Sequence, residues 1–174
     1  VNVTKEPFNV YISGLDTTGS IGNISRSDVN MVMTVNPQTK TILLTSIPRD
    51  YYVDLATKGA KDKLTHSGLY GIDETTATVE DLLGIDINYY VKVNFTTVVK
   101  LVDTLGGITV NSDYSFSAKG LDGQTYSFTA GENYLSGEAA LAFSRERYSF
   151  AEGDNQRLKN QQAVITGIIN KCTS

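Results

Sequence analysis

The sequence predicts an α/β layer structure with a mixed central sheet. Short apolar strands alternate along the chain with segments of helical period, the pattern of a layered α/β fold. A hairpin over 29–48 places antiparallel strands in that sheet, so it cannot be purely parallel. The length, 174 residues with 40% apolar and 20% charged side chains, suits one folded domain with a proper core, spanning 1–174.

The elements follow in order. "FNVYISGLD" (8–16) reads as a buried strand ending in a turn, and "TTGSIGNIS" (17–25) as a Gly/Ser/Thr loop. "VNMVMTVNPQTKTILLTSIPRD" (29–50) is two apolar strands joined at Asn36-Pro37, a hairpin by its turn residues. "KDKLTHSGLYG" and "IDETTATVEDLLG" read as two short helices, the second closing at Gly84. "INYYVKVN" is a strand, and "FTTVVKLVDTLGG" a helix ended by Gly106-Gly107. "GITVNSDYSFSA" and "QTYSFTAGENYL" read as strands of a peripheral ribbon, and helices over 136–145 and 154–171 complete the set. The tyrosines at 51, 52, 89 and 90 follow strand patterns and are expected to pack.

Composition excludes several chemistries. A formal net charge of −4 argues against a general nucleic-acid binder, which needs a basic face. One cysteine, Cys172, allows no internal disulfide, and a single histidine, His66, leaves little for a hydrolytic triad or a zinc site. No run approaches the ~18 apolar residues of a membrane span. The opening "VNVTKEPFNVY" leads straight into a strand, so the chain reads as a domain whose targeting segment was left off. Sequons at Asn2, Asn23 and Asn94 carry little weight by themselves.

The charged residues are more informative. The chain has five arginines, and three of them (Arg145, Arg147, Arg157) fall in "SRERYSFAEGDNQR" at 144–157. If "RER" leaves its helix in an extended form, Arg145 and Arg147 share a face. Asp154 is placed to cap the last helix. Arg157 and Gln161, four apart, lie on one side of it. Arg26 in "SRSD" and Arg49 in "SIPRD" sit at loop–strand boundaries. A guanidinium grips phosphate oxygens with a planar fork, which a lysine cannot do. The set therefore reads as an anion clamp. Each arginine alone reads equally well as an ion pair: Arg26 with Asp28, Arg49 with Asp50, Arg145 or Arg147 with Glu152 or Asp154. Asp16 ends the first strand and Asp28 begins the second, so on neighbouring strands they meet at one sheet edge, where two carboxylates with phosphate oxygens suit Mg²⁺. Taken separately, each is a turn or cap aspartate. The Gly/Ser loop lacks the G-K-[ST] of a nucleotide-binding loop. His66 in "KDKLTHSG" is a packing residue before it is a base.

In this arrangement the chain resembles the LytR-CpsA-Psr proteins of bacterial cell-wall assembly. The matching pieces are "GLD" (14–16), "RSD" (26–28), "SIPRDYYV" (46–53), "KLTHSG" (63–68), "LGGITV" (105–110) and "SRERY…EGDNQRLKNQQ" (144–162). The resemblance implies an α/β/α sandwich with a pocket for a lipid tail. It also implies an extracytoplasmic domain behind an N-terminal membrane anchor, and transfer of a glycopolymer (wall teichoic acid, capsular or similar) from a polyprenyl pyrophosphate carrier to peptidoglycan. Carried over by motif, Asp16 and Asp28 hold Mg²⁺, with Mn²⁺ as an alternative. Arg49, Arg145, Arg147 and Arg157 grip the pyrophosphate, and Arg26 and Gln161 support them. Arg49, Arg145, Arg147 and Asp28 are the expected catalytic set, with Asp28 or Asp50 as the base. Domains of this family often continue past the last helix, whereas the sequence stops at Ser174. Two rival functions share the residues: a pyrophosphatase of lipid-linked substrates, and a non-catalytic polyprenyl-phosphate-binding or regulatory module. The carboxylate pair favours an enzyme, since binding a pyrophosphate needs no metal.

Overall fold

In a computed structural model of the chain, which describes residues 1–22 and 24–173, the first apolar run is strand β1 (Phe8–Leu15). It is buried from Val10 to Leu15 because strands flank it on both sides. On one side it pairs antiparallel with β2 (Val29–Asn36), which forms the expected hairpin with β3 (Thr41–Ile47). The hairpin turn is fixed by the Asn36 side chain, whose Oδ1 accepts the backbone N–H of Gln38 at 3.0 Å and of Thr39 at 3.3 Å.

The chain divides into two compact units, Val1–Asn94 and Phe95–Ser174. In the first, β4 (Tyr52–Asp54) pairs with β5 (Lys61–Lys63). Two helices follow, α1 (Leu64–Ser67) and α2 (Ile72–Leu83), separated by a 3₁₀ turn at Gly68–Tyr70. Strand β6 (Tyr89–Asn94) then returns parallel to β1, giving a sheet of order β3-β2-β1-β6. The mixed sheet and the α/β class are thus as the sequence predicts. One core lies between β1–β3 and the helices, where Tyr11, Val32, Ile47, Val53, Leu64 and Val79 are buried together. Burying each aliphatic member contributes about 1.5–3 kcal/mol. α2 stops at Gly84, whose φ of 65° is left-handed and whose N–H returns to Glu80 O at 2.8 Å.

The second unit begins with α3 (Phe95–Thr104). Gly107 N–H reaches back to Val102 O at 2.9 Å and Gly106 N–H to Asp103 O at 3.0 Å, a paired closure that needs positive φ at the glycine. β7 (Ile108–Ser112) pairs with β10 (Gly131–Leu135), and β8 (Phe116–Lys119) with β9 (Thr125–Phe128). α4 (Gly137–Arg145) starts on a Ser136 cap whose Oγ accepts Ala139 N–H at 3.3 Å, and α5 runs over Gly153–Thr173. Ile108, Val110, Phe128, Leu135, Ala140 and Phe143 form its core.

Four expectations are corrected. The stretch 61–71 is not one helix: Lys61–Lys63 is a strand, because its backbone pairs with β4. Each of the two strands expected over 107–118 and 124–135 is split in two. Those strands are not peripheral either, since Ile108, Val110, Phe128 and Leu135 are core. Tyr51, Tyr52, Tyr89 and Tyr90 do not pack away but remain exposed.

Candidate functional site

The motif residues lie in both units. In the first, antiparallel pairing of Gly14 with Val29 brings the end of β1 beside the start of β2. Gly14 permits this closeness, since a Cβ there would stand 2.8 Å from the Cβ of Val29. Asp28 N–H then donates to Gly14 O, and Asp16 N–H donates to Oδ2 of Asp28, both at 2.9 Å. Arg49, just past β3, sets Nη1 3.1 Å from Oδ1 of Asp28 and 4.0 Å from Oδ2 of Asp16. The sheet-edge meeting of the two aspartates is therefore present, with a guanidinium against it. Of the alternative ion pairs, Arg147 with Asp154 forms, at 3.4 Å, whereas Arg26 with Asp28 and Arg49 with Asp50 are not among the pairs of the described residues. Asp28 takes Arg49 rather than Arg26, and Asp50 pairs with Lys63 at 3.5 Å. Arg26 is exposed.

Backbone contacts explain why these side chains meet. Thr65 N–H donates to Arg49 O at 2.9 Å, and Thr65 O accepts Ser27 N–H at 3.1 Å. One residue of "KLTHSG" thus ties the segment bearing Arg49 to the segment bearing Asp28. Gly68 serves the same contact, for a Cβ there would lie 2.2 Å from Ser25 O. His66 is turned to Asp62, with Nδ1 at 2.8 Å from Oδ1; that hydrogen bond is the main cause holding the Asp62 carboxyl below its ordinary value.

A buried polar network missed by sequence reasoning lies beside Asp28. Tyr11, with none of its surface exposed, bonds through its hydroxyl to Ser27 Oγ at 3.0 Å and to Asn30 Oδ1. Ser13 Oγ and Ser27 Oγ are 2.7 Å apart, and Ser27 Oγ donates to Asn30 Oδ1 at 2.8 Å. Burial pushes the Tyr11 hydroxyl up to about 12. The available signal was the polar residues Asn9, Tyr11 and Ser13 at alternate positions of the strand. The Gly/Ser loop is tethered by β6: Asn94 Nδ2 donates to Gly19 O at 2.9 Å and Lys92 Nζ to Gly22 O at 3.1 Å. Asn94 is buried, so its sequon does not present an accessible amide; Asn23 lies outside the described residues.

In the second unit, Arg145 is the last residue of α4, with its guanidinium 4.5 Å from the Phe95 ring centroid. It does not share a strand face with Arg147, because the helix continues through 145 and Glu146 is the first extended residue. Glu146 turns back, Oε1 accepting the N–H groups of Arg147 at 3.0 Å and Tyr148 at 2.8 Å. Asp154 sits in the first turn of α5, and its Oδ1 is shared by Arg147 at 3.4 Å and Arg157 at 3.5 Å. Arg147 also donates to the Tyr148 hydroxyl at 3.2 Å, the largest of the contacts that hold its guanidinium above the ordinary value, ahead of Asp154. A cavity of about 340 Å³ is lined by Arg147, Tyr148, Phe150, Gly153 and Asp154. Arg157 Nε and Gln161 Oε1 are buried with no hydrogen-bond partner among the described residues. Such orphans are costly unless something else satisfies them.

Asp16 and Asp28 fit the expected metal in kind. Two hard carboxylate oxygen donors at one sheet edge are what Mg²⁺ or Mn²⁺ takes when phosphate oxygens and water complete the shell. Among the described residues no group of three His, Cys, Asp or Glu could form a full protein cage.

Comparison with known proteins agrees with the motif reading. A family model described as the LytR_cpsA_psr family matches residues 1–174. The polyisoprenyl-teichoic acid–peptidoglycan teichoic acid transferase TagU of Bacillus subtilis (strain 168) is 46% identical over 168 residues, 96% of this chain and 53% of that protein. The crystal structure of B. subtilis TagV superposes with a TM-score of 0.83 at 36% identity, covering 98% of this chain and 66% of that one. The LytR-CPS2A-psr family protein YwtF (TagT), solved with bound octaprenyl pyrophosphate lipid, gives 0.77 at 33% identity over 100% of this chain and 68% of that one. The chain spans about half the length of the curated relatives it matches.

Proposed function

The chain belongs to the LytR_cpsA_psr family, and from that premise we propose that it transfers a glycopolymer of the teichoic acid class from a polyprenyl pyrophosphate carrier to peptidoglycan. A relative named as a teichoic acid transferase and another bound to octaprenyl pyrophosphate support the substrate class. The observation that carries the reading is the meeting of Asp16, Asp28 and Arg49 at one sheet edge. On this reading an acceptor sugar hydroxyl attacks the sugar-bearing phosphorus. The bond to the bridging oxygen breaks, polyprenyl phosphate leaves, and the hydroxyl proton passes to a carboxylate, Asp28 or Asp50. Such chemistry asks the protein for positioning and charge neutralisation rather than covalent work.

Arg49, Arg145, Arg147 and Arg157 take the pyrophosphate oxygens as forked donors, supported by Arg26 and Gln161. Asp16 and Asp28 hold Mg²⁺, or Mn²⁺, which when bound supplies positive charge against the phosphate oxygens. The reaction belongs outside the cytoplasmic membrane, with anchoring in the full-length protein. Among the described residues no helix is long and apolar enough to cross a membrane.

The test is a short polyprenyl pyrophosphate sugar incubated with peptidoglycan fragments, with and without Mg²⁺. A metal-dependent product heavier by the acceptor, with polyprenyl phosphate released, is expected. Free sugar phosphate instead would make the protein a pyrophosphatase, and tight binding with no release would make it a carrier-binding module.

A further inference from the structure

Away from the arginines, the second unit carries an open groove of about 350 Å³ between β7 and α5, at the small end of the ~300–1,000 Å³ usual for ligand clefts. Its rim is polar and mostly doubly competent, with a single acidic group. Asn111 from β7 and Asn170 from α5 each present an amide that donates and accepts, Thr109 and Thr166 add hydroxyls, and Glu132 from β10 adds one carboxylate. No cation lines it.

The fold holds this rim in place. Glu132 pairs with Asn111 across the ribbon and Tyr134 with Thr109, so the four side chains share one face. All four are exposed. α5 lies close because of Gly167, where a Cβ would stand 2.6 Å from Thr109 O. Tyr134 continues the face past Glu132. Its ring rests against Gly107, where a Cβ would lie 2.8 Å from a ring carbon, and its hydroxyl donates to Gly106 O. A 64% exposed aromatic ring is thereby fixed on the same face of the ribbon as Glu132 and Asn111, with Lys171 Nζ 5.8 Å from its centroid.

Amides and hydroxyls that both donate and accept, one carboxylate and a fixed aromatic face match the hydroxyl, acetamido and C–H surfaces of a sugar. They match a phosphate poorly, because Glu132 repels it and no guanidinium lines the groove. We propose that the groove of β7, β10 and α5 binds a saccharide bearing acetamido groups. It serves as the docking place of the glycan acceptor, a role that rests on the transferase reading above.

The experiment titrates the isotope-labelled chain with a soluble tetrasaccharide of N-acetylglucosamine and follows backbone amide shifts by NMR. Saturable shifts clustered at 109–111, 131–134 and 163–170 are expected. The double variant Asn111→Ala/Glu132→Ala, at exposed positions, is expected to keep its melting temperature and lose affinity by about 10-fold or more. Saturable shifts elsewhere, no shifts at millimolar sugar, or unchanged affinity in the double variant would overturn the site. The transfer assay is run in parallel. Sugar binding in the groove without any polyprenyl phosphate release leaves the saccharide site standing and removes the transferase reading. Transfer at the wild-type rate by the double variant removes the acceptor role and leaves the transferase reading intact.

Discussion

Arg49 stands 3.1 Å from one oxygen of Asp28, whose other oxygen is already held by the Asp16 N–H at 2.9 Å. The carboxylate is fixed from two directions while Arg49 keeps 37% of its side chain exposed. A pair with one partner this open to solvent contributes about 0–1 kcal/mol to stability. On the transferase reading, Arg49→Ala is expected to lower turnover on the order of 10³-fold. Unfolding in denaturant should shift by less than about 1 kcal/mol. Equal losses in both measurements would make Arg49 a structural residue only.

Arg145 is exposed at the end of α4 and its one described partner is the Phe95 ring. An exposed cation–π contact is worth about 0.5–1 kcal/mol, so Arg145→Ala is expected to remain folded with a melting curve close to the parent. Polyprenyl phosphate release should fall by a much larger factor. Arg145→Lys keeps the charge but not the fork and should restore only part of the rate. Full activity in Arg145→Ala would remove this residue from the clamp.

Gly68→Ala tests the strap beneath the first-unit residues. The new methyl would meet Ser25 O at 2.2 Å, a backbone atom that cannot step aside without moving Ser25–Ser27. The helical φ of −63° at this position suits alanine, so overpacking alone decides the sign. The expected cost is about 1–3 kcal/mol, read by denaturant unfolding, with faster amide exchange at Ser25 and Ser27. An unchanged or raised stability would show that the strap yields freely.

Tyr11 gives a pH signature. Its hydroxyl is pushed up to about 12 from an ordinary 10, chiefly by burial. The folded state therefore favours the neutral form. That stability is whole below pH ~10 and drains away as pH rises towards ~12, a swing of about 2–3 kcal/mol. Tyr11→Phe should lose about 1 kcal/mol at neutral pH from the missing hydrogen bonds. Between pH ~10 and ~12 it should fall less steeply than the parent. Because Tyr126 is also raised to about 12, through its bond to Asp122, the difference between the two chains is the quantity to measure.

What the sequence made legible follows from how local each signal is. β1, the β2–β3 hairpin, α2 and α3 carry their own period and stop residues, Asn36-Pro37, Gly84 and Gly106-Gly107 among them, and each is found where predicted. Lys61–Lys63 has no period at all, being polar throughout, and is a strand only because Tyr52–Asp54 pairs with it. In the candidate site, the approach of Asp16 to Asp28 was legible because consecutive strands usually neighbour each other. The choice of Arg49 for Asp28 rather than Asp50 was not, since it depends on Ile47 lying opposite Asn30 across the hairpin. Thr65 contributes through its backbone alone, which no side-chain pattern can announce.

Asp154 holds Arg147 and Arg157 through a single oxygen, and this gives the second unit an internal counter-ion. In the unliganded chain it offsets the repulsion between two guanidinium groups that would otherwise drive each other apart. On the transferase reading, an anion arriving there meets a place already taken, and its binding is an exchange that displaces the resident carboxylate. Selectivity then follows from valence. A singly charged visitor gains little over the aspartate it replaces, whereas a ligand carrying several negative oxygens on one rigid group engages both cations at once and wins the exchange.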